Sequence, residues 1–301
     1  MELGRAMSGA ALIRMPTTAS KMQSVGTISE MRHVVGEIRA KGQSIAFVPT
    51  MGALHEGHLT LVDEAKRVGD VVVMSIFVNP LQFGPSEDFG RYPRMLDEDA
   101  RMASERGVDF LFTPVKEDMY PAHAPVVIVH PGSVGKEWEG AVRPHHFEGV
   151  LTVVAKLFHI VTPDVAVFGQ KDLQQAAAVK AMVRDLNFPV GILVAPTVRD
   201  ADGLAMSSRN RYLSPKDREL GLKLSQALAA MRATFAKGER RASALEATGW
   251  RMLERVVGLT PRYLAVVNAD TFQRVNNVRH GDAAVGAVRV GETKLIDNII
   301  F

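Results

Sequence analysis

Two hydrophobic rhythms run along this chain. Apolar residues recur at helical spacing over 28–40, where Lys41 and Gly42 end the pattern, and again after His58 at Leu59, Leu61, Val62, Ala65 and Val68. Residues 44–48 read as the first strand, and the near-continuous apolar run at 71–78 predicts a strand buried on both faces, as in a parallel sheet. A charged helix near 96–106 leads to a strand at 108–112, and 126–129 reads as a further short strand. A helix at 147–160, a strand at 165–168, a helix at 173–186 and a strand at 190–194 follow the glycine-rich stretch 131–140. Strands alternating with helices imply right-handed crossovers. The expected class is therefore α/β, a Rossmann-like open parallel sheet with helices on both faces.

The rhythm changes after 197. Residues 197–214 carry neither period, and a loop of that length in a compact protein is functional or a linker. Helices at 215–237 and 243–257 then precede strands at 263–267, 283–290 and 294–300, a smaller C-terminal α+β unit suited to act as a lid. The expected domains are a leader at 1–21, a nucleotide-binding Rossmann-like domain at 22–197 and an α+β lid domain at 198–301.

Composition narrows the function. With 301 residues, 47% hydrophobic and 23% charged, the chain has the make-up of an ordinary globular protein. A net charge of +3 suits anionic small molecules and gives little support to nucleic-acid binding, so no nucleic-acid partner is expected. The absence of cysteine removes disulfides, thiolate metal sites and a cysteine nucleophile. No apolar run is long enough to cross a bilayer, and no membrane partner is expected. Residues 1–21 hold Arg5, Arg14 and Lys21 with Glu2 as the only acid, and their apolar patch at 10–13 is too short for a secretory signal. They read as a disordered leader, with Met22 as an alternative start.

The chemistry-bearing stretch is Phe47-Val48-Pro49-Thr50-Met51-Gly52-Ala53-Leu54-His55-Glu56-Gly57-His58. An apolar strand enters a glycine-containing turn and a helix opens near His58. Such a helix start directs N–H groups and the positive dipole end into the turn, an anion site. Two imidazoles flanking Gly57 can lean over one phosphate chain. The same spacing permits zinc, but without a third ligand nearby it makes a poor zinc site. Set against this, a single histidine is more often an ordinary core or surface residue.

Other polar residues fall just past strand ends, where open parallel sheets bind ligands: His55, Asn79, Gln82, Gly169, Lys171 and Thr197. Phe168-Gly169-Gln170-Lys171-Asp172 combines close backbone approach with a point charge for phosphate. Met206-Ser207-Ser208-Arg209 adds two hydroxyls and a guanidinium. Gln82 and Gln175 can hold a substrate's hydroxyls and carboxylate without an ion pair that would blunt the carboxylate. The Arg143-Pro144-His145-His146-Phe147 run is read as positioning rather than chemistry. Asp99 and Glu98, beside Asp97, are candidate Mg²⁺ ligands, although Mg²⁺ generally leans on substrate phosphates. There is no Walker-A motif. These residues by themselves indicate ATP-dependent transfer at the α- or γ-phosphate.

At these motifs the sequence resembles the pantothenate synthetase (pantoate–β-alanine ligase) family of the HIGH-type nucleotidyltransferases. The resemblance runs from Met22 nearly to the C-terminus. It includes residues 49–58, Ser75-Ile76-Phe77-Val78-Asn79-Pro80-Leu81-Gln82-Phe83, Arg91-Tyr92-Pro93-Arg94, Asp202-Gly203-Leu204-Ala205-Met206-Ser207-Ser208-Arg209-Asn210 and Leu295-Ile296-Asp297-Asn298. It implies a cytoplasmic homodimer that uses ATP with Mg²⁺ to join pantoate and β-alanine through a pantoyl adenylate. By motif matching, Met51, Gly52, Ala53, Leu54, His55, Glu56, Gly57 and His58 line the ATP site. Gly169, Gln170, Lys171, Asp172, Val198, Met206, Ser207, Ser208 and Arg209 complete it. His58, His55, Lys171 and Arg209 are the expected catalytic groups, and Gln82, Gln175 and Asn79 the substrate-binding ones. Gln170 and Leu173 depart from the family, which usually has Glu and an aromatic there. The rivals are another nucleotidyltransferase, such as a cytidylyltransferase or an aminoacyl-tRNA-synthetase-like protein (the latter opposed by the lack of a lysine-rich KMSKS loop and of an anticodon domain), and a non-catalytic nucleotide- or RNA-binding module.

Overall fold

The structure, a computed structural model, describes residues 22–85, 87–121 and 125–301. The expected leader at 1–21 lies outside the described residues. In chain order the large sheet's elements are β1 (Gln23–Val25), α1 (Ile28–Ala40), β2 (Ile45–Thr50), α2 (Glu56–Val68), β3 (Val71–Ile76), α3 (Leu96–Arg106) and β4 (Phe110–Phe112). The short turns α4 (Lys116–Met119) and α5 (Glu139–Val142) precede α6 (His146–Val161), β5 (Val165–Gly169), α7 (Leu173–Asp185) and β6 (Gly191–Ala195). The strands are all parallel, in the order β1-β4-β3-β2-β5-β6. The expected parallel α/β sheet is therefore present.

Strand order locates the site. β2 lies between β3 and β5, so chain order reverses there and the loops after β2 and β5 leave the sheet toward opposite sides. The crevice between them is where an open α/β sheet takes its ligand. Phe47, Ile45 and Val73 on one side meet α1, α6 and α7, while Ala46, Val48 and Met74 on the other meet α2 and α3. Both cores are apolar, which is why β2 and β3 show no polar alternation.

The C-terminal part folds as expected from its pattern. Helices α8 (Pro215–Ala236) and α9 (Ala242–Leu253) cover an antiparallel sheet of β7 (Leu259–Asn268), β8 (Asp282–Val290) and β9 (Thr293–Ile300), in the order β7-β8-β9. The sheet's other side, through Ala265, Val267, Ala283 and Val285, continues the core of the large sheet. Trp138 is one tie between the two: its indole N–H donates to the Phe272 carbonyl at 3.1 Å and the Arg274 guanidinium stacks over its ring.

Two expectations need correction. Residues 126–129 form no strand; Val126 is 98% exposed, and the only anchor for Val129 N–H found among the described residues is the Thr152 hydroxyl. An apolar β-rich run became an open segment because no strand among the described residues lies beside it. The edge strand β1 went unrecognised because three residues are too few for any period.

Candidate active site

The turn after β2 shows why each residue type is needed. Gly52 has φ +82, and a methyl there would stand 2.8 Å from an Asp99 carboxylate oxygen. Ala53 also has positive φ, at 52, a conformation that costs an L residue energy unless it is held. Asp99 holds it, accepting the N–H groups of Ala53 (2.8 Å) and Leu54 (2.7 Å). Asp99 is thus a buried anchor, each of whose oxygens accepts a backbone N–H, a role other than the Mg²⁺ ligation expected of it. Glu98 lies exposed on α3, and no group of three acids or histidines among the described residues fits a metal ion. Asp99 also shows that Ala53 and Leu54 do not offer N–H groups to a phosphate.

Helix α2 begins two residues earlier than expected, with His55 as its N-cap. His55 Nδ1 accepts the Gly57 N–H at 3.1 Å, and a side chain at Gly57 would meet that ring at 2.9 Å. The helix start therefore presents an imidazole in place of bare amides. With Nδ1 accepting, the ring's proton sits on Nε2, so neutral His55 is a fixed donor. The His58 ring lies over it, with centroids 4.1 Å apart. His58 Nδ1 is buried without a hydrogen-bond partner among the described residues, an unsatisfied group of the kind ligand sites keep. Glu56 turns away to Arg106 at 2.6 Å, which removes its side chain from the expected ATP contacts.

The segments do converge. A methyl at Gly57 would lie 3.7 Å from Met206 Cβ, so the 206–209 arm passes over the start of α2. Lys171 and Asp172 both act electrostatically on His55 and His58. Enclosure in the cleft pushes the Asp172 carboxyl up, but Lys171, Arg209, His146 and His58 together hold it below its ordinary value. Asp172 thus lies within electrostatic reach of the adjacent Lys171 and of Arg209, His146 and His58 from three other segments. Burial, with the neighbouring charges, pushes His55 down to about 4 and His58 down to about 3. Both imidazoles are neutral donors near neutral pH.

A cavity of about 760 Å³ opens beside them, between the large sheet and the C-terminal unit. Its wall includes Lys171, Asp172, Gln175, Ser207 and Arg209. His55, His58 and Gln82 are not part of that wall, and the imidazoles meet it through Lys171 and Asp172. Arg209 is held by Asp88 through two contacts of 2.9 and 3.0 Å, and Ser207 caps the turn that carries it. Val198 contributes its carbonyl to Met206 N–H at 3.0 Å, which shapes the arm.

Gln82 is placed with unusual care. Its carbonyl accepts from His146 Nδ1 (2.8 Å) and Arg143 (3.3 Å), so the 143–147 run positions, as its sequence indicated. Its side-chain oxygen accepts from Asn79, and its amide nitrogen lies 3.1 Å from Met51 Sδ. Gly149 of α6 makes this possible, because a methyl there would collide with the Leu81 carbonyl. Asn79 is fully engaged: its amide also donates to Gly149 O (3.0 Å) and its oxygen accepts from Tyr120 OH (2.8 Å). Asn79 thus supports Gln82 from one side. Tyr120 and Gln174 escaped the sequence reading. Gln174 ties residues 134–139 to α7 through Val134 O, Glu137 O and Glu139 N, and nothing in the sequence distinguishes it from Gln175.

The family model described as pantoate-β-alanine ligase matches residues 23–300. The chain belongs to the pantoate–β-alanine ligase family. A family relative, the pantothenate synthetase of Acidobacterium capsulatum, is 51% identical over 291 residues, 93% of this chain and 97% of that protein. The crystal structure of pantothenate synthetase from Thermus thermophilus superposes with a TM-score of 0.87 at 46% identity, covering 92% of this chain and 99% of that one. A third ligase, from Francisella tularensis, was solved complexed with β-γ ATP and β-alanine; its TM-score is 0.75 at 33% identity, over 93% of this chain and 97% of its own. The two solved ligases match over both the large sheet and the C-terminal unit of this chain.

The imidazoles make stability depend on pH. Burial also pushes His146 down to about 4, so three histidines that titrate near 6.5 when unfolded stay neutral in the fold well below that. The unfolded chain takes up protons first, so stability is highest above about pH 6.5 and falls as the pH drops toward 4. Each histidine contributes up to about 1.4 kcal/mol per pH unit in that window. His58→Ala should flatten the slope of urea-unfolding free energy between pH 6.5 and 4.5. Parallel slopes for the two proteins would contradict the placement of His58.

Proposed function

We propose that this chain is a pantoate–β-alanine ligase that makes pantothenate from ATP, pantoate and β-alanine by way of a pantoyl adenylate. The observation that carries the reading is the stacked His55–His58 pair, with its unsatisfied Nδ1, coupled to Lys171 and Asp172 at the sheet's switch point. A carboxylate oxygen of pantoate attacks the α-phosphorus and pyrophosphate leaves. The amine of β-alanine then attacks the acyl carbon, loses a proton, and AMP departs with the bridging oxygen.

The chain's own groups suit these steps. In-line displacement builds charge on phosphate oxygens, and donors fixed beforehand lower the barrier most. His55 and His58 supply N–H donors and Lys171 and Arg209 full charges. Gly169, Gln170, Ser207 and Ser208 shape the nucleotide's path, and Gln82 and Gln175 hold pantoate. Mg²⁺ would enter mainly with the ATP phosphates, since the Asp99 oxygens already accept the N–H groups of Ala53 and Leu54. The unit from 198 onward covers the site, and shielding the mixed anhydride from water gives that cover a purpose. Use of ATP supports a cytoplasmic location; no helix among the described residues is long and apolar enough to cross a membrane.

The test is ATP–pyrophosphate exchange in the absence of β-alanine. Exchange should require pantoate and fail with other hydroxy acids; exchange independent of pantoate would overturn the reading.

The reading extends to a homodimer. Val126 (98%), Val127 (82%) and Ile128 (49%) form an exposed apolar run whose sequence prefers a strand. Pairing with a second copy would cover it. In sedimentation, Val127→Asp should shift the protein toward monomer; a variant as dimeric as its parent would place the interface elsewhere.

A further inference from the structure

Strand β9 brings two buried polar residues, Asp297 and Asn298, to the edge of the nucleotide site. The Asn298 amide is fully used. Its Nδ2 donates to the carbonyls of Gln170 (2.8 Å) and Lys171 (3.0 Å), and its Oδ1 accepts from Gln170 Nε2 at 3.1 Å. The turn after β5, which carries Lys171, is thereby fastened to β9. The residue at 170, a departure from the family pattern, joins this contact through its amide.

Asp297 grips a different part of the site. It forms a two-pronged pair with Arg199, at 2.7 and 2.9 Å, and Arg199 also donates to the Gly203 carbonyl at 3.1 Å. Residues 198–206 make a tight hairpin, closed by Met206 N–H on Val198 O and a bridge between Arg199 and Ala205. That hairpin presents Ser207, Ser208 and Arg209. Adjacent residues of one strand thus hold the two cationic arms of the site, which come from different units of the fold. β9 is paired to β8 along its whole length without these side chains, so they are not needed to form the small sheet.

We propose that Asp297 and Asn298 are positioning residues for the nucleotide, fixing Lys171 and Arg209 at the spacing a triphosphate requires. Neither touches the reacting atoms; Asn298 acts through Lys171 and Asp297 through Arg209. The inference rests on the reading of this crevice as an ATP site.

Titration calorimetry of the full chain with ATP and Mg²⁺, and separately with pantoate, tests it. Loss of buried hydrogen bonds that act on binding should weaken ATP by about fivefold or more in Asn298→Ala, with pantoate affinity within about twofold of wild type. Asn298→Ala should add nothing to Lys171→Ala but multiply with Arg209→Ala. Asp297→Asn should show the opposite pattern. Non-additivity confined to the pair linked through one arm, Asn298 with Lys171 or Asp297 with Arg209, is the signature of a shared action. Asn298→Ser, which keeps one donor, should fall between Ala and wild type, and it carries the test if Asn298→Ala does not fold. A purely structural role would lower the melting temperature while leaving ATP affinity unchanged, and that result would overturn the proposal. So would equal loss of ATP and pantoate, or multiplication in both cycles. Failure of the ligase reading would appear separately, as wild-type protein with no pantoate-dependent pyrophosphate exchange, while the ATP titrations still decide the roles of Asp297 and Asn298.

Discussion

His58→Ala lowers the rate of pantoate-dependent pyrophosphate release by about 10²–10³, the usual effect of removing one fixed donor from a developing oxyanion. Three observations set that expectation. The ring is stacked on His55 at 4.1 Å, its Nδ1 is buried without a partner among the described residues, and its depressed pKa keeps it a neutral donor. Because that nitrogen makes no hydrogen bond among the described residues, the substitution strands no polar partner of it there. The folded state should survive, with a melting temperature close to wild type or above it at low pH. The loss should fall on the rate constant more than on ATP affinity, since the donor's contact strengthens as charge moves onto the phosphate. Near wild-type pyrophosphate release from folded His58→Ala would show that the imidazole pair is a structural cap and no more.

Gln82→Ala should weaken pantoate by about 10²-fold while changing ATP affinity little. A site built to hydrogen-bond a substrate's polar groups discriminates strongly because its own buried partners are left unpaired when the contact is lost. Gln82 is built in this way. His146 and Arg143 fix its carbonyl, Asn79 fixes its side-chain oxygen, and its amide nitrogen lies against the sulfur of Met51, a weak acceptor that a substrate hydroxyl readily replaces. Gln82→Glu separates shape from charge. It keeps the length but sets a carboxylate against the carboxylate of pantoate, and should bind pantoate worse than Ala does. Equal losses for pantoate and ATP in either variant would move Gln82 out of the substrate site.

Much of this architecture was legible in the sequence, for local reasons. Helix α1 has its predicted bounds because Thr27 and Glu30 form a capping box at its start, and α3 because Gly107 ends it in the left-handed region. Strands β2 and β3 were recognisable because a parallel sheet covered on both faces leaves no polar alternation. The ligand edge followed from the order of strands and helices alone. What stayed hidden was carried by pairs distant in sequence. Asp99 looked like one acid of an exposed helical turn, yet it faces the N–H groups of Ala53 and Leu54. Asn79 looked like a free amide at a strand end, yet Tyr120, Gln82 and Gly149 engage it completely. Asp297 and Asn298 stood in a recognisable motif with no visible task, because their partners lie about a hundred residues earlier. Position on an element can be read from rhythm; which way a polar tip turns depends on neighbours that only the folded chain supplies.

The role proposed for His55, His58, Lys171 and Arg209 has one chemical consequence, that a carboxylate displaces pyrophosphate at the α-phosphorus. Turnover with pantoate labelled with ¹⁸O in its carboxylate reads this directly by mass spectrometry of the nucleotide product. One labelled oxygen should appear in AMP for each pantothenate formed, with pyrophosphate unlabelled. Label in inorganic phosphate, with ADP as the nucleotide product, would place the attack at the γ-phosphorus and contradict it.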